Sequence, residues 1–251
     1  MRRQVLLFVC ALQFLTRIPT PRLASFDPDW LTRSARYFPL AGQVVGGLAA
    51  LALVGAAHVW PMAVAAILAL TVGVLLTGGL HEDGLADSTD GLFGGATPAR
   101  RLEIMKDSRI GVFGVLALIL ALGLKTAALA ELSPWMAGAA LLGAHGFGRA
   151  MATLAMRLTP YAPEGRPTRW TPSARGVTGG ELAVAVAIAA WPLLLMPPTA
   201  GLAAVLGGGG LALGGLWLAQ RRLGGHTGDI LGGVEQLGEL GFLLGVAAVL
   251  A

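Results

Sequence analysis

The chain is cut into runs of uninterrupted apolar residues, each about as long as a bilayer's hydrocarbon core is thick. They fall at 37–60, 62–80, 110–130, 135–156, 182–197, 199–219 and 230–250. About 20 apolar residues in a helix cross the ~30 Å core, and in lipid only helices and closed barrels satisfy their own backbone. Barrel strands would alternate apolar and polar residues over roughly ten positions, and these runs are continuous instead. Hydrophobic residues make up 55% of the chain and charged residues 13%, where a soluble domain carries roughly 25% charged. Disorder and an ordinary water-soluble enzyme are excluded. The 37 glycines follow no G-X-Y period, which excludes collagen. Among apolar helices they allow close approach. The expected fold is an all-α polytopic membrane helix bundle of about seven transmembrane helices, with residues 1–251 as a single integral membrane domain.

Very short connections around Pro61, Glu131–Pro134 and Pro197–Thr199 join the first six runs into three tight hairpins, and the seventh run stands alone. Basic residues then divide sharply. Arg2, Arg3, Arg17, Arg22, Arg33 and Arg36 precede the first hairpin, and Arg100, Arg101, Lys106 and Arg109 follow it. Arg157, Arg166, Arg169 and Arg175 follow the second, and Arg221 and Arg222 the third. Every Lys and Arg except Lys125 and Arg149 thus falls on one side, which the positive-inside rule makes cytoplasmic. The expectation is a multi-pass protein of the cytoplasmic (inner) membrane. Its net charge of +4 is a topology signal, and no nucleic-acid partner is expected. Val5–Leu15 is too short for an easy span and reads as an N-terminal interfacial or re-entrant helix. It imitates a signal peptide, but Arg17, Pro19 and Pro21 precede any small-residue cleavage site, so it is expected to be retained. The single cysteine, Cys10, permits no intrachain disulfide and reads as a small buried hydrophobe.

Lys125, Arg149, Glu235 and Glu239 fall inside apolar runs. Ionisable groups at membrane depth face a bundle interior or a wet cavity. His145 and Arg149 share a helix face at i,i+4, as do Glu235 and Glu239. Arg149 is expected either to pair with a carboxylate of the last helix or to serve a ligand, and Lys125 to snorkel toward the outer surface.

The densest chemistry lies in the cytoplasmic stretch 81–109, read as an active-site loop. His81-Glu82-Asp83-Gly84-Leu85-Ala86-Asp87-Ser88-Thr89-Asp90-Gly91 places four acids directly after the second run. Asp83, Asp87 and Asp90 are spaced i, i+4, i+7, so a continuing helix would project all three from one face with Glu82 at its shoulder. Like charges at that spacing repel without a cation. Hard carboxylate oxygens suit Mg²⁺ or Mn²⁺, which bind through a few carboxylates plus phosphate oxygens. The plain alternative is a solvated acidic loop, but Gly84, Ala86 and Ser88 alternate with the acids as a bulky ligand would require. His81 either joins the metal or borders the membrane. Downstream, Met105-Lys106-Asp107-Ser108-Arg109-Ile110-Gly111 sets two cations beside an acid, equipment for phosphate or pyrophosphate, or else simple positive-inside flanks. No P-loop, G-x-S-x-G, H-E-x-x-H or EF-hand pattern occurs.

Five segments together resemble the cobalamin synthase family, the adenosylcobinamide-GDP ribazoletransferases. They are Phe14-Leu-Thr-Arg-Ile-Pro-Thr-Pro21, 81–91, Met105-Lys-Asp-Ser-Arg-Ile-Gly-Val-Phe-Gly114, Gly148-Arg-Ala150 and Gly228-Asp-Ile-Leu-Gly232 with Glu235 and Glu239. The resemblance implies a Mg²⁺-dependent membrane enzyme. A hydroxyl of α-ribazole, or of its 5′-phosphate, attacks the cobinamide-side phosphorus of adenosylcobinamide-GDP, and GMP leaves. It further implies Asp83, Asp87 and Asp90 as metal ligands, with Glu82 as a fourth ligand or the base. Lys106, Arg109 and Arg149 would hold phosphates, and Asp107 and Asp229 would form a second carboxylate pair, or else cap helices. A lipid bilayer surrounds such a protein, with room for a homo-oligomer or an association with other cobalamin-assembly enzymes. Two rival readings remain. One is a CDP-alcohol-type phospholipid synthase, whose D-G-x-x-A-R…D…D signature the acidic segment resembles in shortened form, with Asp87 in place of the Arg. The other is a small transporter with Arg149, Glu235, Glu239 and Lys125 along its pathway.

Overall fold

The computed structural model describes residues 2–21, 29–162 and 176–250; the basic residues Arg22, Arg166, Arg169 and Arg175 lie outside them. Among the described residues the elements are all helical: α1 Arg2–Leu15, α2 Asp29–Ser34, α3 Phe38–Ala56, α4 Met62–Thr77, α5 Leu80–Gly94, α6 Pro98–Met105, α7 Val112–Ala130, α8 Pro134–Leu158, α9 Gly179–Ala190, α10 Pro198–Leu223 and α11 Gly228–Leu250. This is a multi-pass membrane bundle, and a count of seven spans is not confirmed by length and apolarity alone. Four helical stretches are long and apolar enough to cross: 29–56, α7, α10 and α11. A fifth arises only if α4 and α5 count together, and those two meet at 90°. The run at 182–197 becomes α9 and a 3-10 turn, Trp191–Leu195, because Pro192 lacks the N–H that would continue the helix. The run at 135–156 becomes the 25-residue α8, which is buried along most of its length. A helix enclosed by protein uses Gly and Ala where a lipid-facing helix uses Leu.

α8 and α11 form the centre. α3 packs on α8, and α10 packs on α11 through backbone contact: a Cβ on Gly207 would lie 2.4 Å from the Gly241 carbonyl oxygen. Leu53, Leu129, Leu141, Phe242, Leu243 and Val246 fill the core between them. α7 and α10 turn Ile119, Leu120, Leu202 and Leu206 outward, a surface suited to acyl chains rather than water. α1 lays Leu7, Cys10, Ala11 and Leu15 against the bundle.

The charged connections gather at one end. Arg33 and Arg36, before α3, donate to Glu181 of α9 at 3.1 and 2.7 Å. Arg17 donates its backbone N–H to the Leu76 carbonyl at 2.7 Å, and the Arg222 guanidinium reaches the Leu92 carbonyl. The connections at 57–61, 131–133 and 196–197 occupy the other end and hold no Lys or Arg.

Candidate active site at the crossing of α5 and α11

The stretch 81–109 is not a loop. Gly78 and Gly79 adopt φ of 69° and 73°, a left-handed conformation that glycine takes without Cβ strain. They end α4 and turn the chain 90° into α5, which carries the acidic cluster crosswise over the charged end of the bundle and is not itself a span. α5 then crosses the first turns of α11. A Cβ on Gly84 would sit 2.9 Å from the Asp229 carbonyl oxygen, and one on Gly232 3.2 Å from Gly84 Cα. The glycines that interleave with the acids therefore admit a neighbouring helix.

That crossing places Asp83 and Asp229 on the wall of a single pocket of about 160 Å³, shared with His81 and Arg149 and closed by Phe14, Phe38 and Met156. Asp83 is exposed and Asp87, one turn on, is half-buried. The Asp87 carboxyl is pushed up to about 6, first by burial and then by the charges of Asp83 and Asp90. The repulsion expected from the spacing is present.

Asp90 and Glu82 depart from the three-ligand face with a fourth acid at its shoulder. Both Asp90 oxygens accept backbone N–H groups at the start of α7, Oδ2 from Gly111 at 2.7 Å and Oδ1 from Gly114 at 2.9 Å. A Cβ at either glycine would stand 2.5 Å from an Asp90 oxygen, which accounts for the G-x-x-G of that segment. Glu82 turns inward. Its Oε1 accepts from Gln236 Nε2 at 3.2 Å, and its buried Oε2 has no hydrogen-bond partner among the described residues. Asp107 is bound bidentately by Arg109, at 3.0 and 2.7 Å. Those hydrogen bonds pull its carboxyl down to about 2, and it forms its pair with Arg109 rather than with Asp229. Nor does Asp229 cap α11, since Thr227 Oγ1 accepts the Ile230 N–H at 3.2 Å. Lys106, at the end of α6, is exposed.

Behind the pocket lies a buried ion network. Arg149 Nη1 donates to Glu235 Oε1 at 2.6 Å, to Glu239 Oε1 at 3.1 Å and to the His145 carbonyl at 2.9 Å. The expected pairing of Arg149 with the last helix is therefore present, and to both acids. Lys125 does not snorkel. It is 1% exposed and donates to Glu239 Oε2 and Gln236 Oε1, each at 2.7 Å. Glu239 also meets His145 Nδ1 at 2.5 Å. His145, Glu235 and Glu239 are close enough to share a metal ion, but two cations already neutralise these two carboxylates, so the cluster reads as an ion-pair network.

The chain matches the family described as cobalamin-5-phosphate synthase over residues 7–247. It is 45% identical to an adenosylcobinamide-GDP ribazoletransferase of Leptothrix cholodnii, over 95% of this chain and 94% of that one. It is 40% identical to the enzyme of that name from Shewanella woodyi, over 96% and 95%. No solved structure matches it. The chain belongs to the cobalamin-5-phosphate synthase family.

In this member of the cobalamin-5-phosphate synthase family three further side chains take a definite place beside the site: Gln236, which the sequence expectations do not include, Lys125, expected to snorkel, and His81, expected either to join a metal or to border the membrane. Gln236 joins Lys125, Glu235 and the site acid Glu82. Lys125 sits one helix away from its partners, and a lone cation near a run's end carries no signal of which way it points. The third is His81, whose Nδ1 lies 3.5 Å from Arg149 Nη2. Gln236, one residue beyond Glu235 and three before Glu239, was the available clue to a polar face.

Proposed function

We propose that the protein is an adenosylcobinamide-GDP ribazoletransferase. It transfers the adenosylcobinamide-phosphate group to a hydroxyl of α-ribazole or α-ribazole 5′-phosphate, with release of GMP. The observation that carries this reading is end-to-end identity of up to 45% with relatives of that name. It displaces the lipid-synthase and transporter readings. The site lies on the cytoplasmic face of the inner membrane, a placement supported by the basic residues gathered at the α5 end.

Asp83 and Asp87 fit a hard divalent cation, Mg²⁺ or Mn²⁺. They stand one helical turn apart on an accessible face; burial first and then the charges of Asp83 and Asp90 raise Asp87, and a cation would relieve the repulsive part. When bound, the cation neutralises phosphate oxygens. Asp90, with both oxygens on α7, fixes the direction of α5 instead of joining the ligands. Glu82 braces α5 through Gln236. Lys106 and Arg109 are assigned to the leaving phosphate, where positive charge stabilises the departing GMP.

The test is GMP release by purified protein given adenosylcobinamide-GDP, α-ribazole and Mg²⁺. Asp83→Asn and Asp87→Asn preserve size and remove one charge each. Membrane yield should stay normal, because these acids repel one another without metal, while turnover falls about 10²-fold, roughly 2.7 kcal/mol of transition-state stabilisation. Full Mg²⁺-dependent release by both variants would remove the metal assignment.

A further inference from the structure

We propose that the pocket between α1, α5, α8 and the start of α11 holds the base of the acceptor nucleoside, with the carbocyclic edge of its benzimidazole innermost. The identity of the occupant rests on the ribazoletransferase reading; what is added is the set of walls that selects the acceptor. Phe14–Pro21 carries part of the family resemblance, and the metal and phosphate assignments leave it without a part. The structure gives it one. Arg17 donates its N–H to the Leu76 carbonyl at 2.7 Å and lays its guanidinium on Gly78, where a Cβ would overlap it. The end of α1 is thereby tied to the bend that opens α5. Phe14 stacks on Phe38 with ring centroids 5.9 Å apart, and both rings stand in the pocket wall with Leu15, Ala152 and Met156.

Burial orders this pocket from rim to interior. Phe14 is 42% exposed, while Leu15, Phe38, Ala152 and Met156 are each 8% exposed or less. Asp83 and Gly228, in the same wall, are exposed. The polar members at depth face one another and the ion network: Arg149 Nη1 pairs with Glu235 and Glu239, and Nη2 lies 3.5 Å from His81 Nδ1. What remains is an apolar interior whose mouth adjoins a candidate metal ligand. Polar ring edges buried there would go unpaired and cost affinity. Among the groups that take part in the reaction, the purines of the donor carry heteroatoms on both rings, and a corrin is too large for about 160 Å³. α-Ribazole is a dimethylbenzimidazole joined to ribose through one ring nitrogen. Its carbocyclic ring and two methyl groups are wholly apolar, and both nitrogens lie at the opposite edge. Entering carbocycle first, it meets Phe14, Phe38 and Met156, side-chain types that favour contact with a ring. Both nitrogens and the ribose then stay at the mouth, on the side of Asp83.

The test uses the detergent-purified full chain with Mg²⁺, calorimetry with α-ribazole, and steady-state release of GMP. Ala152→Leu fills the interior that Ala152 lines and leaves Asp83 and the Arg149 ion pairs in place. It should weaken α-ribazole binding and raise its KM about tenfold or more. The KM for adenosylcobinamide-GDP should stay unchanged, since only acceptor binding is lost. α-Ribosylimidazole, which lacks the carbocyclic ring, should be a poor acceptor for wild type, and Ala152→Leu should change its KM by less than about twofold. Phe14→Ala removes a ring at the exposed rim and should raise the KM for α-ribazole about threefold or more. Should Ala152→Leu fail to fold, Phe14→Ala decides by the same split between acceptor and donor. No binding of α-ribazole by wild type, an unchanged KM for it in the folded variants, or an equal rise for both substrates overturns the subsite. If wild type binds α-ribazole and a folded variant loses it, yet wild type releases no GMP, the subsite stands and the ribazoletransferase reading fails.

Discussion

Asp90 shares a helical face with Asp83 and Asp87 by spacing, yet its carboxylate is engaged by two N–H groups of the next helix. Asp90→Ala removes both charge-assisted bonds and leaves the Gly111 and Gly114 donors unmet, a loss of about 2–4 kcal/mol at the usual worth of such bonds. Asp90→Asn keeps one acceptor and should lose less. Thermal unfolding in detergent checks the order, and an unchanged melt for Asp90→Ala would deny the role. Lys125 makes the complementary point at depth. Lys125→Met leaves two carboxylates, Glu235 and Glu239, facing the single permanent cation Arg149, at a cost of about 3 kcal/mol or more for an unpaired buried charge. Adding Glu239→Gln restores the balance and should recover part of that stability; no recovery would mean that Lys125 and Glu239 are not coupled. The sequence showed the types and periods of these residues, and it offered the last helix as one of two destinations for Arg149. It did not show direction. Asp90 and Asp87 differ only in which neighbour arrives beside them, and that neighbour, the start of α7, lies more than 20 residues on.

Among the elements, the bend at Gly78-Gly79 decides the most. Consecutive glycines before an acidic run were legible as a turn signal, but the apolar run at 62–80 masks them, since glycine is common inside apolar helices. The break changes the acid helix from an extension of a span into a crosspiece over α11, and so assembles residues that lie about 150 positions apart. A smaller device closes the same end. The segment at 160–162 pairs with the connection from α10 to α11, His226 N–H to the Pro160 carbonyl at 2.9 Å and Ala162 N–H to the His226 carbonyl at 2.8 Å. His226 is buried, with Nδ1 2.9 Å from Thr159 Oγ1, and burial pulls its pKa down to about 4 from an ordinary 6.5. The folded state therefore binds this proton less readily than the unfolded chain does. The stability it contributes is full above pH 6.5 and is lost as pH falls through 4, about 3 kcal/mol across that window. Melting temperature against pH should show that fall, and His226→Gln should flatten it. An equal slope in both proteins would place the acid sensitivity elsewhere.

At the scale of the whole molecule, the sequence settled what the solvent is and where the charges sit, because both follow from composition counted over long windows. The number of spans is not confirmed by length and apolarity alone. α8, about 37 Å long at 1.5 Å per residue, runs between the two ends, but its neighbours replace lipid around it, and its Gly- and Ala-rich sequence keeps it out of a count made on apolarity. The arrangement of ends predicts an orientation that can be measured. Native Cys10 is 3% exposed, so background labelling should be low. Ala96→Cys places a thiol between α5 and α6, and His58→Cys places one between α3 and α4, at opposite ends and both exposed. An impermeant maleimide should label His58→Cys in intact spheroplasts and spare Ala96→Cys, with the pattern reversed in inside-out vesicles. The sign follows from the basic residues at the α5 end, whose transfer across the membrane is disfavoured during insertion. Labelling of Ala96→Cys from outside would invert the bundle. Asp83, Asp87 and the Arg149 pocket would then open away from the cytoplasm, and a cytoplasmic nucleotide-linked donor could not reach them.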